Sequence, residues 1–411
     1  MRVLLTTFGS RGDVQPLLAL AVALRALGSD ARVCAPPDEE FAKLFAAAGV
    51  PLLPAFTSVR EWVAEMLPKR ATISLPKVAA QVMAAQYEAI TAAALSFGAM
   101  GFGAMGCDLI VATGLFSSVA AARSVAEKLG TRYMHAAYCP IFLPSPHQPP
   151  FEFPSHPHPP GVTDNPVLWD RNVQVMNDLF GDGLNAVRLS VGLPKVDNVR
   201  DYCFTDHPWL AADPVLAPWR QPTKIDVTQT GAWILPDERL LPDELLAFLD
   251  AGEPPVYIGF GSLPAPKSFA RMAIAVIRAL GRRVLLSRGW AELVLVDDRE
   301  DCFIVGEVNQ QALFPRVAAV IHHGGAGTTT AAARAGSPQV VVPQIADQPY
   351  WAGRVRDLGI GSAHEGATPT AESLSTALEF ALIPATRARA LSIGATIQDD
   401  GAMRAASLLC E

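Results

Sequence analysis

Strand and helix signals alternate through both halves of this chain, which predicts an α/β protein made of two Rossmann-like parallel-sheet domains. Three observations carry that prediction. The 411 residues exceed one ordinary core and fit two domains of about 150 to 200 residues. Half the residues are hydrophobic and 18% are charged, a balance suited to compact α/β packing. Glycine-bearing turns follow short apolar runs in each half, where doubly wound sheets meet their ligands.

The elements follow in order. The run Val3 to Phe8 predicts a strand, Gly9 to Asp13 its turn, and Leu17, Leu20, Ala21, Leu24 and Leu27 share one face of a helix closed by Gly28. Further strands are expected at Ala31 to Ala35, Leu109 to Ala112 and Arg132 to Ala137. Proline and histidine crowd residues 140 to 166 and predict a long surface loop, followed by a helix over Leu168 to Ser190. Asp213 to Pro222 has the proline content of a linker. Beyond it, strands are expected at Pro255 to Phe260, Val284 to Ser287, Phe303 to Val305, Val317 to Ile321 and Gln339 to Val342, with a helix from about Ser268 to Leu280. The expected boundaries are 1–215 for the first domain, 216–224 for the linker and 225–390 for the second domain. Residues 391–411 form a last helix crossing back to the first.

Composition excludes several classes. A formal charge of -7 and a pI near 5.7 lack the concentrated basic face of a nucleic-acid binder. The six cysteines are scattered without a CxxC pair, which points to a reducing cytoplasm. The apolar start ends at Phe8, too short for a secretory signal. Ala89 to Cys107 has no charge over a length that could span a bilayer, yet alanine, glycine and the tandem repeat Phe97 to Gly106 favour a glycine-rich helix end or loop beside a cleft. His147, His156 and His158 lack partner carboxylates or cysteines nearby, so a loop outweighs a metal cluster.

The most informative turn is His322-His323-Gly324-Gly325-Ala326-Gly327-Thr328-Thr329-Thr330, which follows a buried strand and opens a short helix over Ala331 to Ala335. Glycine lets backbone N–H groups approach an anion, and a helix N-terminus offers unpaired donors. Two histidines and three threonines add side-chain donors, so a phosphate ester is expected here. Asp13, in the turn after the first strand, has two readings: a general base, or a cap on the helix that Pro16 helps to start. Gly9 and Gly12 lack the middle glycine of a dinucleotide fingerprint, and no acid ends the second strand. Asp347 and Gln348 precede Pro349 at a helix start, where carboxylate and amide together suit sugar hydroxyls. Ser262 reads as a diphosphate contact or a turn former. Trp290, beside Arg288, reads as a binding face or an interface residue.

Taken together, these residues resemble the nucleotide-sugar-dependent glycosyltransferases of GT-B fold, and most of all the bacterial enzymes that decorate vancomycin-group glycopeptides. The likeness runs through Gly9 to Asp13, Thr205 to Pro214, Gln229 to Pro236, Ser287 to Trp290, Gly306 to Asn309 and His322 to Thr330. It implies two domains facing across a cleft and an inverting transfer from a nucleoside-diphosphate sugar to a natural-product hydroxyl. In that transfer Asp13 would be the base. Ser10, Ser262, His322, Gly325, Ala326, Gly327 and Thr328 would hold the diphosphate, Val308 and Trp290 the nucleobase, and Asp347 and Gln348 the sugar. No metal or other cofactor is implied. The donor is expected to be a dTDP-sugar or a UDP-sugar, and Glu307 stands where plant relatives stack a tryptophan on uracil.

The acceptor side would be lined by residues 97–106 and 140–166. With the composition, this likeness leads to the expectation of a cytoplasmic monomer or weak dimer without nucleic-acid partner or stable membrane insertion. Two other functions compete. A GT-B sugar-nucleotide 2-epimerase would act without an acceptor, and a non-catalytic sugar-nucleotide sensor or helper would not need Asp13.

Overall fold

The buried apolar runs become parallel strands because both faces of each are covered by helices. The computed structural model describes residues 1–411 apart from 70–72, 101–103, 263–266, 291–296 and 298. It divides into two units: residues 1–214, 218–235 and 399–411 form the first, and 215–217 with 236–398 the second.

In the first unit the strands are β1 (Arg2–Phe8), β2 (Asp30–Ala35), β3 (Leu52–Pro54), β4 (Ala99–Met100), β5 (Ala104–Met105), β6 (Leu109–Gly114), β7 (Arg132–Ala137), β8 (Trp209–Leu210) and β9 (Thr228–Gln229). Seven form one parallel sheet in the order β3-β2-β1-β6-β7-β8-β9. The order reverses between β1 and β6, which leaves a crevice beyond their carboxyl ends. Helices Leu75–Leu95, Phe116–Leu129 and Asn165–Ser190 pack together over Leu4, Cys34, Ile110 and Ala112. The last helix, Gly401–Cys410, packs in this unit against helix Arg11–Ala26.

The uncharged stretch from Ala89 is split between the end of helix Leu75–Leu95 and an antiparallel ribbon of β4 and β5. Of the tandem repeat, residues 101–103 lie outside the described residues. Among those described, no helix is long and apolar enough to cross a membrane. The proline-rich loop is tied down by aromatic contacts from Phe142 through Phe151 and Phe153 to Phe180, and by Trp169 Nε1 donating to the Gln148 carbonyl at 2.9 Å. Its histidines part company: His156 faces Asp178 at 3.8 Å and His158 faces Glu152 at 3.9 Å.

The second unit contains β10 (Val256–Gly259), β11 (Val284–Ser287), β12 (Cys302–Val305), β13 (Ala319–His322), β14 (Gln339–Val341) and β15 (Gly361–Ala363), parallel in the order β12-β11-β10-β13-β14-β15. Alternate residues feed opposite faces, as the two-residue period of a strand requires. Val256 and Ile258 join helices Lys267–Ala279 and Ala371–Leu382 on one side, while Tyr257, Leu285 and Val320 join Leu245, Leu249 and Phe314 on the other. The switch point here lies between β10 and β13. The turns that carry the sequence motifs leave the sheet there.

Candidate active site

Each unit presents its motif at its own switch point, and the two are built differently. In the first unit the helix after β1 starts at Arg11, two residues before Asp13, so the expected turn Gly9 to Asp13 is partly helical. Pro16 lies inside that helix rather than at its start, and has no N–H to give the Gly12 carbonyl. Ser10 is the N-cap, and its N–H donates to Asp13 Oδ2 at 2.9 Å. One carboxylate oxygen therefore performs the capping role, and the side chain remains half-exposed. The other faces the end of β6: a Cβ built on Gly114 would lie 3.6 Å from Asp13 Oδ1.

A Cβ at Gly9 would lie 2.1 Å from Asp13 Oδ2, so any other residue there would push the carboxylate out of its place. Behind the turn, the Tyr138 hydroxyl donates to the Asp13 carbonyl at 3.2 Å. Burial, reinforced by the Asp13 charge, holds that phenol well above its ordinary pKa. Phe8 leads into the turn, with the rings of Phe56 and Trp62 centred 5.7 and 5.6 Å away. Phe56 and Trp62 line a cavity of about 350 Å³ with Met66, Val78 and Val82. Sequence reading missed it, since its walls come from separate helices and a turn.

In the second unit the helix begins at Ala326, five residues earlier than the sequence suggested, so the motif itself forms its first turn. Gly325 is the N-cap and carries no side chain to cap with. The first backbone bond of the helix is Thr329 N–H to the Gly325 carbonyl at 2.9 Å, so Ala326, Gly327 and Thr328 contribute the unbonded N–H groups of a helix start. Two of the expected threonine donors turn away. Thr329 Oγ1 donates to the Gly325 carbonyl and Thr330 Oγ1 to the Ala326 carbonyl, because hydroxyls within a helix reach back one turn.

The two histidines also divide. His322 ends the buried strand β13 and is fully buried, with Nδ1 accepting from Gly324 N–H at 3.0 Å and Nε2 2.9 Å from Gln339 Oε1. Burial, with His323 alongside, lowers its pKa to about 3, so it is neutral. Both nitrogens are spent inside the protein, and the sequence-assigned diphosphate ligand is, in this structure, a support for the turn. His323 is the imidazole beside the helix start. A Cβ on Gly325 would lie 2.5 Å from its Nε2, and one on Gly261 3.3 Å from its Cε1. Its Nδ1 is buried without a hydrogen-bond partner among the described residues, and burial lowers its pKa to about 4. The available signal was position: the first histidine continues the apolar strand and the second enters the turn.

Neighbouring turns gather at this end of the sheet. Gly261, preceding half-buried Ser262, accepts from Trp290 N–H at 2.9 Å, which joins the turns after β10 and β11. Leu263 and Pro264 of the first turn lie outside the described residues. Val308 is half-buried against the core after β12. Before it, Glu307 pairs with Arg239 at 2.9 Å, and after it Asn309 Nδ2 donates to the carbonyls of Asp237 and Arg239 at 2.7 and 2.8 Å. After β14, Gln348 Oε1 accepts from the N–H groups of Gln344 and Ile345 at 2.7 and 3.0 Å, pinning its own loop. Asp347 Oδ2 accepts from Trp351 Nε1 at 2.7 Å, and burial raises its pKa against that bond. Gly324 touches this loop, since a Cβ there would lie 3.1 Å from the Gln348 carbonyl. The candidate diphosphate and sugar residues of the second unit are thus neighbours.

Among the described residues no group of three or more His, Cys, Asp or Glu could hold a metal ion. In the second unit, donors at a helix start beside a carboxylate-amide pair can bind a sugar-bearing diphosphate; in the first, a half-exposed carboxylate can accept a proton.

Residues 299–403 match the family described as erythromycin biosynthesis protein CIII-like, C-terminal domain. A vancomycin aglycone glucosyltransferase of Amycolatopsis orientalis is 54% identical over 411 residues, covering 100% of this chain and 97% of the relative. A dTDP-epi-vancosaminyltransferase of the same organism is 48% identical over 399 residues, covering 96% and 93%. The solved structure of the glycotransferase of kitacinnamycin superposes with a TM-score of 0.72 at 21% identity, over 99% of this chain and 98% of that one, a likeness of fold. With that identity along its whole length, the chain belongs to the GT-B glycosyltransferases of the vancomycin group.

Proposed function

We propose that this glycosyltransferase moves a hexose from a dTDP-sugar or UDP-sugar to a hydroxyl of a glycopeptide aglycone, with inversion at the anomeric carbon. The observation that carries the acceptor class is the 54% identity, end to end, with a vancomycin aglycone glucosyltransferase. The name of the second relative favours dTDP over UDP as carrier. The cavity beside Phe56 and Trp62 supports a bulky, aromatic acceptor on the first unit.

In this reading the acceptor hydroxyl gives its proton to Asp13 as its oxygen bonds to the anomeric carbon. The bond from that carbon to phosphate oxygen breaks, and its electron pair leaves with the diphosphate. Charge grows on the leaving group, and the N–H groups of Ala326, Gly327 and Thr328 stabilise it, with Gly325, Ser262, Ser10 and His323 as further contacts. His322 acts indirectly, by shaping the turn. Asp347 and the Gln348 amide hold sugar hydroxyls, and Val308 and Trp290 flank the base. No metal or other cofactor takes part, and the enzyme works in the cytoplasm as a monomer or weak dimer.

Mass-spectrometric assay of dTDP- and UDP-glucose against glycopeptide and polyketide aglycones tests the proposal. A glycosylated glycopeptide product is expected. Transfer only to polyketides would overturn the acceptor class, and epimerised sugar nucleotide without any acceptor would overturn transfer itself.

A further inference from the structure

Gln339 opens β14 as a fully buried amide ahead of three valines, and none of the ligand roles above uses it. A buried amide is costly unless its hydrogen bonds are made. Its Oε1 lies 2.9 Å from His322 Nε2, and its Nε2 donates to the Thr329 carbonyl at 3.3 Å. On the other side of the imidazole, Gly324 N–H donates to Nδ1 at 3.0 Å.

Only one assignment satisfies the set. A backbone N–H can only donate, so Nδ1 keeps its lone pair and the ring proton sits on Nε2, which donates to the amide oxygen. The amide nitrogen then donates to the carbonyl of Thr329. The chain of bonds runs from the strand through the imidazole into Gly324, whose φ of +91° turns the backbone toward the helix start.

We infer that Gln339 is a positioning residue: it holds His322 in the Nε2–H tautomer and, through the Gly324 bond, sets the geometry of the turn that takes the leaving diphosphate. The inference rests on the donor reading above. An apolar residue at 339 leaves Nε2–H without an acceptor in the core, which favours the other tautomer and costs the Gly324 bond. A glutamate keeps an oxygen for Nε2–H, so it separates an effect through His322 from loss of the Thr329 anchor.

The test compares wild type, Gln339→Leu and Gln339→Glu by nitrogen NMR of ¹⁵N-histidine-labelled protein and by calorimetry with dTDP and UDP. Wild-type His322 is expected to show a protonated Nε2 and a bare Nδ1. Gln339→Leu is expected to lose that signature and bind dTDP about tenfold more weakly, while Gln339→Glu keeps it and stays within about threefold of wild type. Equal binding by Gln339→Leu and wild type, or equal loss in both variants, would overturn the inference. A wild-type Nδ1–H signature would also overturn it, even if Gln339→Leu does not fold. Wild type that binds neither nucleotide defeats the donor reading instead, and the nitrogen shifts still decide the role of Gln339.

Discussion

The helix after β1 and the helix after β13 each begin beside the switch point of a doubly wound sheet, one following the strand before the reversal and the other the strand beyond it, and their first turns differ in one respect. Helix Arg11–Ala26 supplies its own anion, because the Asp13 carboxylate accepts the Ser10 N–H. Helix Ala326–Arg334 starts on a glycine and supplies none. A helix N-terminus attracts one negative charge or another, and a carboxylate built into the first turn occupies that place. On the function proposed above, the same scaffold thus yields a proton acceptor in one unit and a diphosphate cradle in the other. The difference lies in whether the helix start is capped by side chain or left for substrate.

The largest expected effect comes from removing the carboxylate without removing the cap. Asp13→Asn keeps an oxygen for Ser10 N–H, so the fold should stand, while turnover with a glycopeptide acceptor falls about 10² to 10⁴-fold. Steady-state assay with product detection checks this. The complementary change makes the second turn resemble the first. A Cβ on Gly327 meets nothing within 4 Å, so Gly327→Asp places a carboxylate at the open helix start without a clash. Donor binding should weaken about tenfold to a hundredfold, while the melting temperature holds or rises slightly, because an acid in a first turn favours a helix by about 0.3–1 kcal/mol.

A pH effect follows from Asp347. Burial raises its pKa above the ordinary carboxylate value, so its ionised form opposes folding as pH rises through the interval between the unfolded and folded pKa. If Asp347 holds the donor sugar as proposed, through its ionised form, donor affinity should fall as pH drops through the raised pKa. Trp351→Phe removes the hydrogen bond that favours the carboxylate, and the acidic limb of donor KM against pH should move to higher pH. The smallest effect is expected at Arg239. Its ion pair with Glu307 is about half-exposed, and such pairs contribute about 0–1 kcal/mol, so Arg239→Ala should change nucleotide affinity by no more than about fivefold in calorimetry.

The long buried strands were legible in the sequence because apolar runs such as Val3 to Phe8 and Val284 to Ser287 are covered on both faces. Strands β3, β8, β9 and β15 were not, since two or three residues carry no measurable period. The site was legible as motifs and less so as roles. Position alone told His322, which continues the strand, from His323, which enters the turn, but the partner that takes up the first ring was hidden because Gln339 lies on the next strand. Thr329 and Thr330 read as donors until the helix was found to start at Ala326, which turns their hydroxyls back on its own carbonyls. Asp13 resisted a choice between cap and base for a simple reason. Its two oxygens face different ways, and one is already a cap.

Binding of dTDP to Asp13→Asn and Gly327→Asp, measured side by side by calorimetry, tests most directly the division of labour between the two helix starts. The account predicts wild-type affinity in the first variant and a loss of about tenfold or more in the second. Loss in the first with wild-type affinity in the second would place the diphosphate at the wrong helix and contradict it.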